Sequence, residues 1–348
     1  MPAFYRPKTK IIATLGPATD SPGMLARMVR AGLDVVRLNF SHGTSKEHLS
    51  RICAVRHINK AYGRAIKIMQ DLEGARIRIG ALKKAVVLGK HQKFFLTQEP
   101  CQGSSREVNF DYRGSLKRIR KGMRIFIDDG KITLIVDATE RTRVKTRVLI
   151  GGTLNAHKGI NIPEAALDFD AITEKDRQDL EFGIQYAVDF IAQSFVNKAG
   201  DIQIIKNILR GRSRCRIFAK IESRAGLKNL DAIIDASDGI LIARGDMGVC
   251  LPIEEVALIQ KEIIKRCRLH RKPAIVATQM LDSMTDEALP TRAEVSDVTN
   301  AILDGAQYCM LSSETAIGKN PDKAVGMMNT IIKHTEMYMS GKFNPLAV

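Results

Sequence analysis

Three short apolar runs in this sequence end in residues able to do chemistry. Cys215 to Ala219 runs into Lys220-Ile221-Glu222, Gly239 to Ala243 into Arg244-Gly245-Asp246, and Pro273 to Ala277 into Thr278-Gln279. Each run is β-rich, and each is followed by a helical pattern. A parallel α/β barrel presents its chemistry this way, because side chains at the C-terminal ends of its strands converge on one mouth. Glu222 and Asp246 offer hard carboxylate oxygens to a divalent cation, with Lys220 beside them. Mg²⁺ is usually held by one or two carboxylates plus substrate oxygens, so the set suits metal-assisted phosphoryl or enolate chemistry.

Other strand ends carry weaker signals. In Asp34 to Gly43, the residues Arg37, Asn39 and Ser41 alternate at period two and so share one strand face. Arginine beside amide and hydroxyl oxygens suits a phosphate and cation site. The plainer reading is a polar strand end leading to a helix N-cap at Ser45, with His42 a packing residue. In Asp71 to Arg78, Asp71 could hold a cation and Arg78 a phosphoryl group, although a basic hinge explains the pattern equally well. Lys158, in His157 to Pro163, could reach a nucleotide phosphate or be a surface lysine. Glu314, in Ser312-Ser313-Glu314-Thr315-Ala316, could brace loops or cap the last helix. No GxxxxGK[ST] and no GxGxxG is present, so nucleotide binding needs another route. Each motif alone has a dull explanation. Their shared placement on six strand ends does not, since random polar residues would occur at both ends of the strands.

Eight β-like segments position these residues: Lys10 to Leu15, Asp34 to Phe40, Ile66 to Leu72, Val188 to Ser194, Arg216 to Glu222, Gly239 to Arg244, Pro273 to Thr278 and Gln307 to Ser312. Amphipathic helical patterns follow seven of them, among them 45–62, 199–209, 252–269 and 321–338. Alternating strands and helices imply βαβ units, and eight such units close a (β/α)8 TIM barrel. The third unit is the exception. After Leu72 the text turns to short alternating strands, with turn signals at Asp129-Gly130 and Gly151-Gly152. The expected organisation is a barrel of residues 1–78 plus 157–340, a small all-β barrel inserted at 79–156, and a tail at 341–348.

Composition bounds the function classes. Apolar residues make up 45% of the 348, ample for a core, and no apolar run approaches a membrane span. The polar start, Met1 to Lys10, lacks a signal-peptide core. Six cysteines without CxxC spacing read as reduced thiols of a cytoplasmic protein. The net charge of +16 clusters at 117–121, 210–216 and 265–272. Without interleaved aromatics it argues for a solvated basic face and a mouth that attracts phosphorylated substrates, against nucleic acid.

With these residues in place, the chain resembles the pyruvate kinase family over nearly its whole length. The resemblance rests on Thr9 to Ala18, Arg37-Leu38-Asn39-Phe40-Ser41-His42-Gly43, Ala219-Lys220-Ile221-Glu222 and Ala243-Arg244-Gly245-Asp246-Met247-Gly248. Ala277-Thr278-Gln279-Met280-Leu281 and Pro290-Thr291-Arg292-Ala293-Glu294 add to it. It implies phosphoryl transfer from phosphoenolpyruvate to ADP, with Glu222 and Asp246 binding Mg²⁺ or Mn²⁺ and Lys220 neutralising the phosphoryl group in flight. It also implies that the helix start at Ala243, Arg244, Gly245 and Asp246 receives the substrate carboxylate. Thr278 then assists protonation of the enolate through water. Arg37, Arg78 and Lys158, with Asn39 and His42, take the nucleotide, and the inserted domain closes as a lid. Many family members need K⁺ at a site matching Asn39, Ser41, Asp71 and the Leu72 carbonyl. They typically carry Glu where this chain has Arg76, so K⁺ is expected to be dispensable here.

There are departures. Ser313 replaces a usual Gly, Glu164 stands where Gly is common and His157 where Lys is common. Ala75-Arg76 replaces Pro followed by Lys or Glu. These bear on substrate affinity more than on chemistry. The family's usual C-terminal effector domain is missing from this sequence. A homo-oligomer through the barrel stays open. Two alternatives remain at this stage: another Mg-dependent barrel enzyme of pyruvate or phosphoenolpyruvate, such as an aldolase or mutase, and a non-catalytic basic barrel binding RNA or a partner.

Overall fold

In the computed structural model, which describes residues 7–165, 167 and 169–343, eight parallel strands close a barrel. They are β1 (Lys10–Thr14), β2 (Val35–Asn39), β3 (Lys67–Asp71), β4 (Phe190–Gln193), β5 (Arg216–Ile221), β6 (Gly239–Ala243), β7 (Ala274–Ala277) and β8 (Tyr308–Leu311). Each strand pairs with its sequence neighbours, and β8 closes on β1 through Lys10 opposite Tyr308. All eight strands expected from the sequence form, each trimmed by a residue or two at one or both ends. Inward residues fill the barrel: Ile12, Val35, Met69, Phe218, Leu241, Ile275 and Met310 belong to one buried cluster. The Phe218 ring takes the space that a Cβ on Gly239 would need.

Several helices are set by their caps. The helix Ser45–Tyr62 begins after an N-cap at Thr44, one residue before the expected Ser45. Thr44 wins because Glu47 stands three residues on and returns its carboxylate to the Thr44 N–H at 2.7 Å, a capping box. The same device starts Glu174–Gln185 from Thr173 with Asp176, and Arg292–Asp304 from Thr291 with Glu294. After β6 an unexpected short helix, Arg244–Cys250, comes first, and the helix expected over 252–269 opens with a 3-10 turn at Ile253–Glu255 before continuing as Val256–Leu269. Pro252 lies at the break; it has no N–H to donate and disfavours helical backbone in the residue before it.

The chain divides into two compact units. One comprises Met1–Gly74, Ile172–Arg244 and Val256–Val348; the other comprises Ala75–Ala171 and Gly245–Glu255. Residues 1–6 and 344–348, which carry the chain start and most of the expected tail, lie outside the described residues. In the second unit a seven-stranded sheet runs in the order Ile77–Arg78, Gly159–Asn161, Arg124–Ile127, Ile132–Thr139, Arg143–Ile150, Lys93–Thr97 and Glu107–Asn109. A bridge between Ile79 and Phe110 links its two end strands, and Val86–Leu88 pairs with Gly152–Leu154. Its core holds Ile79, Phe94, Leu96, Val108, Ile125 and Leu134. Asp128, Asp129 and Gly130 all have left-handed backbone, the tight turn that Asp129-Gly130 signalled.

Candidate active site

Strands β2, β3 and β5 bring four charged side chains, Arg37, Asp71, Lys220 and Glu222, into one buried network, and the end of β4 adds Ser194. Asp71, at the last position of β3, is 1% exposed. One oxygen accepts from Arg37 Nε at 2.6 Å, and the other lies 3.2 Å from Lys220 Nζ. Arg37 also donates to Thr14 Oγ1 at 3.0 Å, its register partner across β1 and β2. Lys220 Nζ has two further neighbours, Glu222 Oε1 at 3.2 Å and Ser194 Oγ at 2.6 Å. Burial alone would push the Asp71 carboxyl up. Lys220 and Arg37 outweigh it and hold the group below the ordinary carboxylate range.

Ser194 was not singled out from the sequence, yet it joins two of the expected positions. It accepts from Lys220 and donates to the Leu72 carbonyl at 2.7 Å. The signal was available: Gln193-Ser194 ends β4 polar, and β4 is registered on both β3 and β5. Gly74 permits the close approach, since a Cβ there would stand 2.8 Å from Ser194 Cβ and its φ is +73°. Glu222 is 2% exposed and accepts the Phe195 N–H at 2.6 Å, so its carboxylate is fixed from the backbone of the neighbouring strand end.

A second cluster surrounds Thr278. The chain leaves β7 with Thr278 at φ +74° and Gln279 at φ +54°, a left-handed pair that is costly for a β-branched residue. Arg244 clamps it. Its Nη2 donates to the Thr278 carbonyl at 2.6 Å and to the Gln279 carbonyl at 3.2 Å, and Nε reaches the Ala277 carbonyl at 3.2 Å. Asp297 receives Arg244 Nη1 at 2.8 and 2.6 Å. The Arg244 side chain is thus committed to the protein's own backbone and to Asp297, which the sequence reading had passed over. Glu314 is completely buried and accepts the N–H groups of Leu281 and Ser312, bracing the loops after β7 and β8. It does not cap the last helix, whose N-cap is Asn320.

At the end of β2, Asn39 Oδ1 accepts the Ser41 N–H at 3.2 Å. The strand stops at Asn39, so Ser41 lies in the following turn and does not share the strand face expected for it. A turn closing on its own Asn side chain replaces the period-two pattern there. His42 is exposed.

The remaining candidates lie in the second unit. Asp246 is a quarter exposed, and Arg76 Nη2 lies 3.5 Å from its carboxylate and 2.8 Å from that of Asp129. Arg78 donates its N–H to Asp111 at 2.7 Å and its guanidinium to the His157 carbonyl at 3.2 Å. Lys158 Nζ lies 2.9 Å from Asp128. Ser313, on the barrel unit, donates to Asp282 at 3.2 Å.

Glu222, on the barrel unit, and Asp246, on the second unit, each offer hard oxygen donors. Both are carboxylates, and among the described residues no group of three or more His, Cys, Asp or Glu gathers to form an all-protein cage. Mg²⁺ seldom uses such a cage and takes its other ligands from water and substrate oxygens. No helix is long and apolar enough to cross a membrane among the residues described.

A family profile described as pyruvate kinase, barrel domain, matches residues 6–325. The chain is 45% identical over 333 residues to the pyruvate kinase of Thermococcus litoralis, covering 95% of this chain and 70% of that protein. It is 43% identical to the pyruvate kinase of Geobacillus stearothermophilus, covering 94% and 57%, and 43% identical to that of Agrobacterium vitis, covering 95% and 69%. The chain therefore spans between 57% and 70% of the length of these relatives.

Proposed function

This chain belongs to the pyruvate kinase family, and on that premise we propose that it transfers the phosphoryl group of phosphoenolpyruvate to ADP, yielding pyruvate and ATP in glycolysis. The observation that carries the reading is the Lys220 ammonium at the barrel mouth, with Asp71, Ser194 and Glu222 all within 3.2 Å. Phosphoryl transfer is mostly positioning and charge stabilisation, so a fixed cation at a strand end is what the chemistry demands. Family membership favours this reading over the aldolase or mutase and the RNA-binding alternatives.

Lys220 would face the phosphoryl group as it leaves the enol oxygen for the terminal oxygen of ADP. Arg37, set by Asp71 and Thr14, would meet the same group or the nucleotide phosphates, with Asn39, His42, Arg78 and Lys158 completing the nucleotide contacts. Ala243, Arg244, Gly245 and Asp246 would receive the substrate carboxylate. The enolate left behind gains a proton at its methylene carbon, and Thr278 would orient the water that supplies it. Glu222 and Asp246 would hold Mg²⁺ or Mn²⁺, which when bound offsets negative charge on the substrate oxygens. Asn39, Ser41, Asp71 and the Leu72 carbonyl would form the monovalent-cation site, and Arg76 would make K⁺ dispensable. A cytoplasmic location and a homo-oligomer through the barrel belong to the same reading.

The test is a coupled assay with phosphoenolpyruvate, ADP and Mg²⁺. Pyruvate should form in step with ATP and only when ADP is present. Pyruvate release that does not depend on ADP, or no release from folded protein, overturns the reading.

A further inference from the structure

One histidine outside the expected site is built into the structure more tightly than any packing role requires. His48, in the first turns of the helix Ser45–Tyr62, is 3% exposed. Its ring stacks on Phe40, with centroids 4.2 Å apart and planes 14° from parallel. Phe182 meets the Phe40 ring edge-on at 5.5 Å. Behind them, Lys175 Nζ donates to the Phe40 carbonyl at 2.7 Å. The imidazole is therefore held from its face, and its Nε2 lies 3.0 Å from the His42 carbonyl.

That contact fixes the tautomer. A carbonyl only accepts, so Nε2 carries the proton and Nδ1 is the bare nitrogen. Nδ1 is buried with no hydrogen-bond partner. A buried polar atom left unsatisfied costs about 1–3 kcal/mol, so the site retains this ring at a standing cost. A phenylalanine would fill the same stack without it. What the imidazole adds is the single N–H donated to the turn. Burial holds the ring below its ordinary pKa, so the neutral form is the one present near pH 7.

The turn so held is Ser41-His42-Gly43. Asn39 fixes its start through the Ser41 N–H. Gly43 needs left-handed backbone at φ +77°, and His48 fixes the carbonyl between them. We propose that His48 is a positioning residue for the nucleotide, its Nε2–H locking the 41–43 turn so that exposed His42 is presented in one orientation to the ADP phosphates. This inference rests on the assignment of His42 as a nucleotide contact.

Two substitutions separate the stack from the hydrogen bond. His48→Phe keeps an aromatic ring on Phe40 and loses the donor. His48→Gln loses the ring and keeps an N–H at a similar reach. The readouts are KM for ADP, KM for phosphoenolpyruvate, kcat, and amide hydrogen exchange of the peptide spanning 41–44. His48→Phe should raise KM for ADP about tenfold, equivalent to about 1.4 kcal/mol. It should leave KM for phosphoenolpyruvate within about twofold and speed exchange at 41–44, while His48→Gln stays within about threefold of wild type. Loss of both variants in parallel, or a His48→Phe protein whose exchange at 41–44 matches wild type, overturns the proposal. A loss of kcat with both KM values unchanged does so too, since that is the mark of general destabilisation. His42→Ala tests the underlying assignment separately. If His42→Ala leaves KM for ADP unchanged, the nucleotide assignment fails and this proposal with it. If it raises KM and His48→Phe does not, the assignment stands and the positioning role is refuted.

Discussion

Replacing Asp71 by asparagine keeps the shape of the side chain and removes the one charge that faces two nearly buried cations. Arg37 and Lys220 are 11% and 12% exposed, at 2.6 and 3.2 Å from the carboxylate. At an effective dielectric of about 20 each attraction is worth about 5–6 kcal/mol before desolvation is counted. Burying the charges takes back most of this, but the carboxylate's removal leaves its partners already buried, and such losses measure about 3–5 kcal/mol. Lys220 keeps Glu222 and Ser194, whereas Arg37 keeps only Thr14 among the contacts described, so the uncompensated charge falls mainly on Arg37. Asp71→Asn should therefore destabilise the barrel by about 3–5 kcal/mol, read from urea unfolding by far-ultraviolet circular dichroism. Circular dichroism is the suitable probe because the chain has no tryptophan. The pH dependence has a definite sign. The Asp71 carboxyl titrates below its ordinary value in the folded state. Its contribution is fully present above about pH 4, the unfolded carboxyl range, and is lost as pH falls through the lower folded value. The gap between wild type and variant should be constant from about pH 5 to 8 and shrink below about pH 4. A loss under about 1 kcal/mol at pH 7, or a gap that widens on acidification, would show that the network is not held by this charge.

Other perturbations test separate parts of the site. Lys220→Met should lower kcat by about a thousandfold, or about 4 kcal/mol of barrier, with the fold retained; turnover near wild type would remove Lys220 from the mechanism. Arg244→Lys keeps the charge but not the planar fork that clamps the Thr278 turn, and should cost kcat about ten- to a hundredfold; activity within about twofold of wild type would show that the turn holds without the clamp. With Arg76 bound to Asp129 and Asp246, turnover should change less than about tenfold between K⁺ and tetramethylammonium at matched ionic strength, and Arg76→Glu should raise the K⁺ response. A larger K⁺ effect in the wild type would show that Arg76 does not replace the ion.

The sequence by itself determined the eight barrel strands and most of the helices between them. These follow from local rules: apolar runs of strand length, period 3.6 between them, and caps such as Thr173 with Asp176. It also marked Lys220, Glu222, Asp246 and Thr278, because polar residues at strand ends are conspicuous after apolar runs. Tertiary structure decided who partners whom. Asp71 reads in the chain as a cation ligand and is instead buried between Arg37 and Lys220, because the barrel sets β3 beside β2 and one strand away from β5, bringing together residues 34 and 149 positions away. Ser194 has no local signature beyond a polar strand end. Its role between Lys220 and Leu72 exists only once β4 lies in register between β3 and β5. The left-handed Thr278 and its Arg244 clamp are invisible in sequence for the same reason, since the backbone conformation is held by a side chain 34 residues away. The N-cap at Thr44 shows the reverse case. Its pairing with Glu47 spans three residues and was present in the sequence; the expected cap at Ser45 was one residue late because the choice between two neighbouring hydroxyls is settled by which one accepts the N3 amide, and Thr44 does.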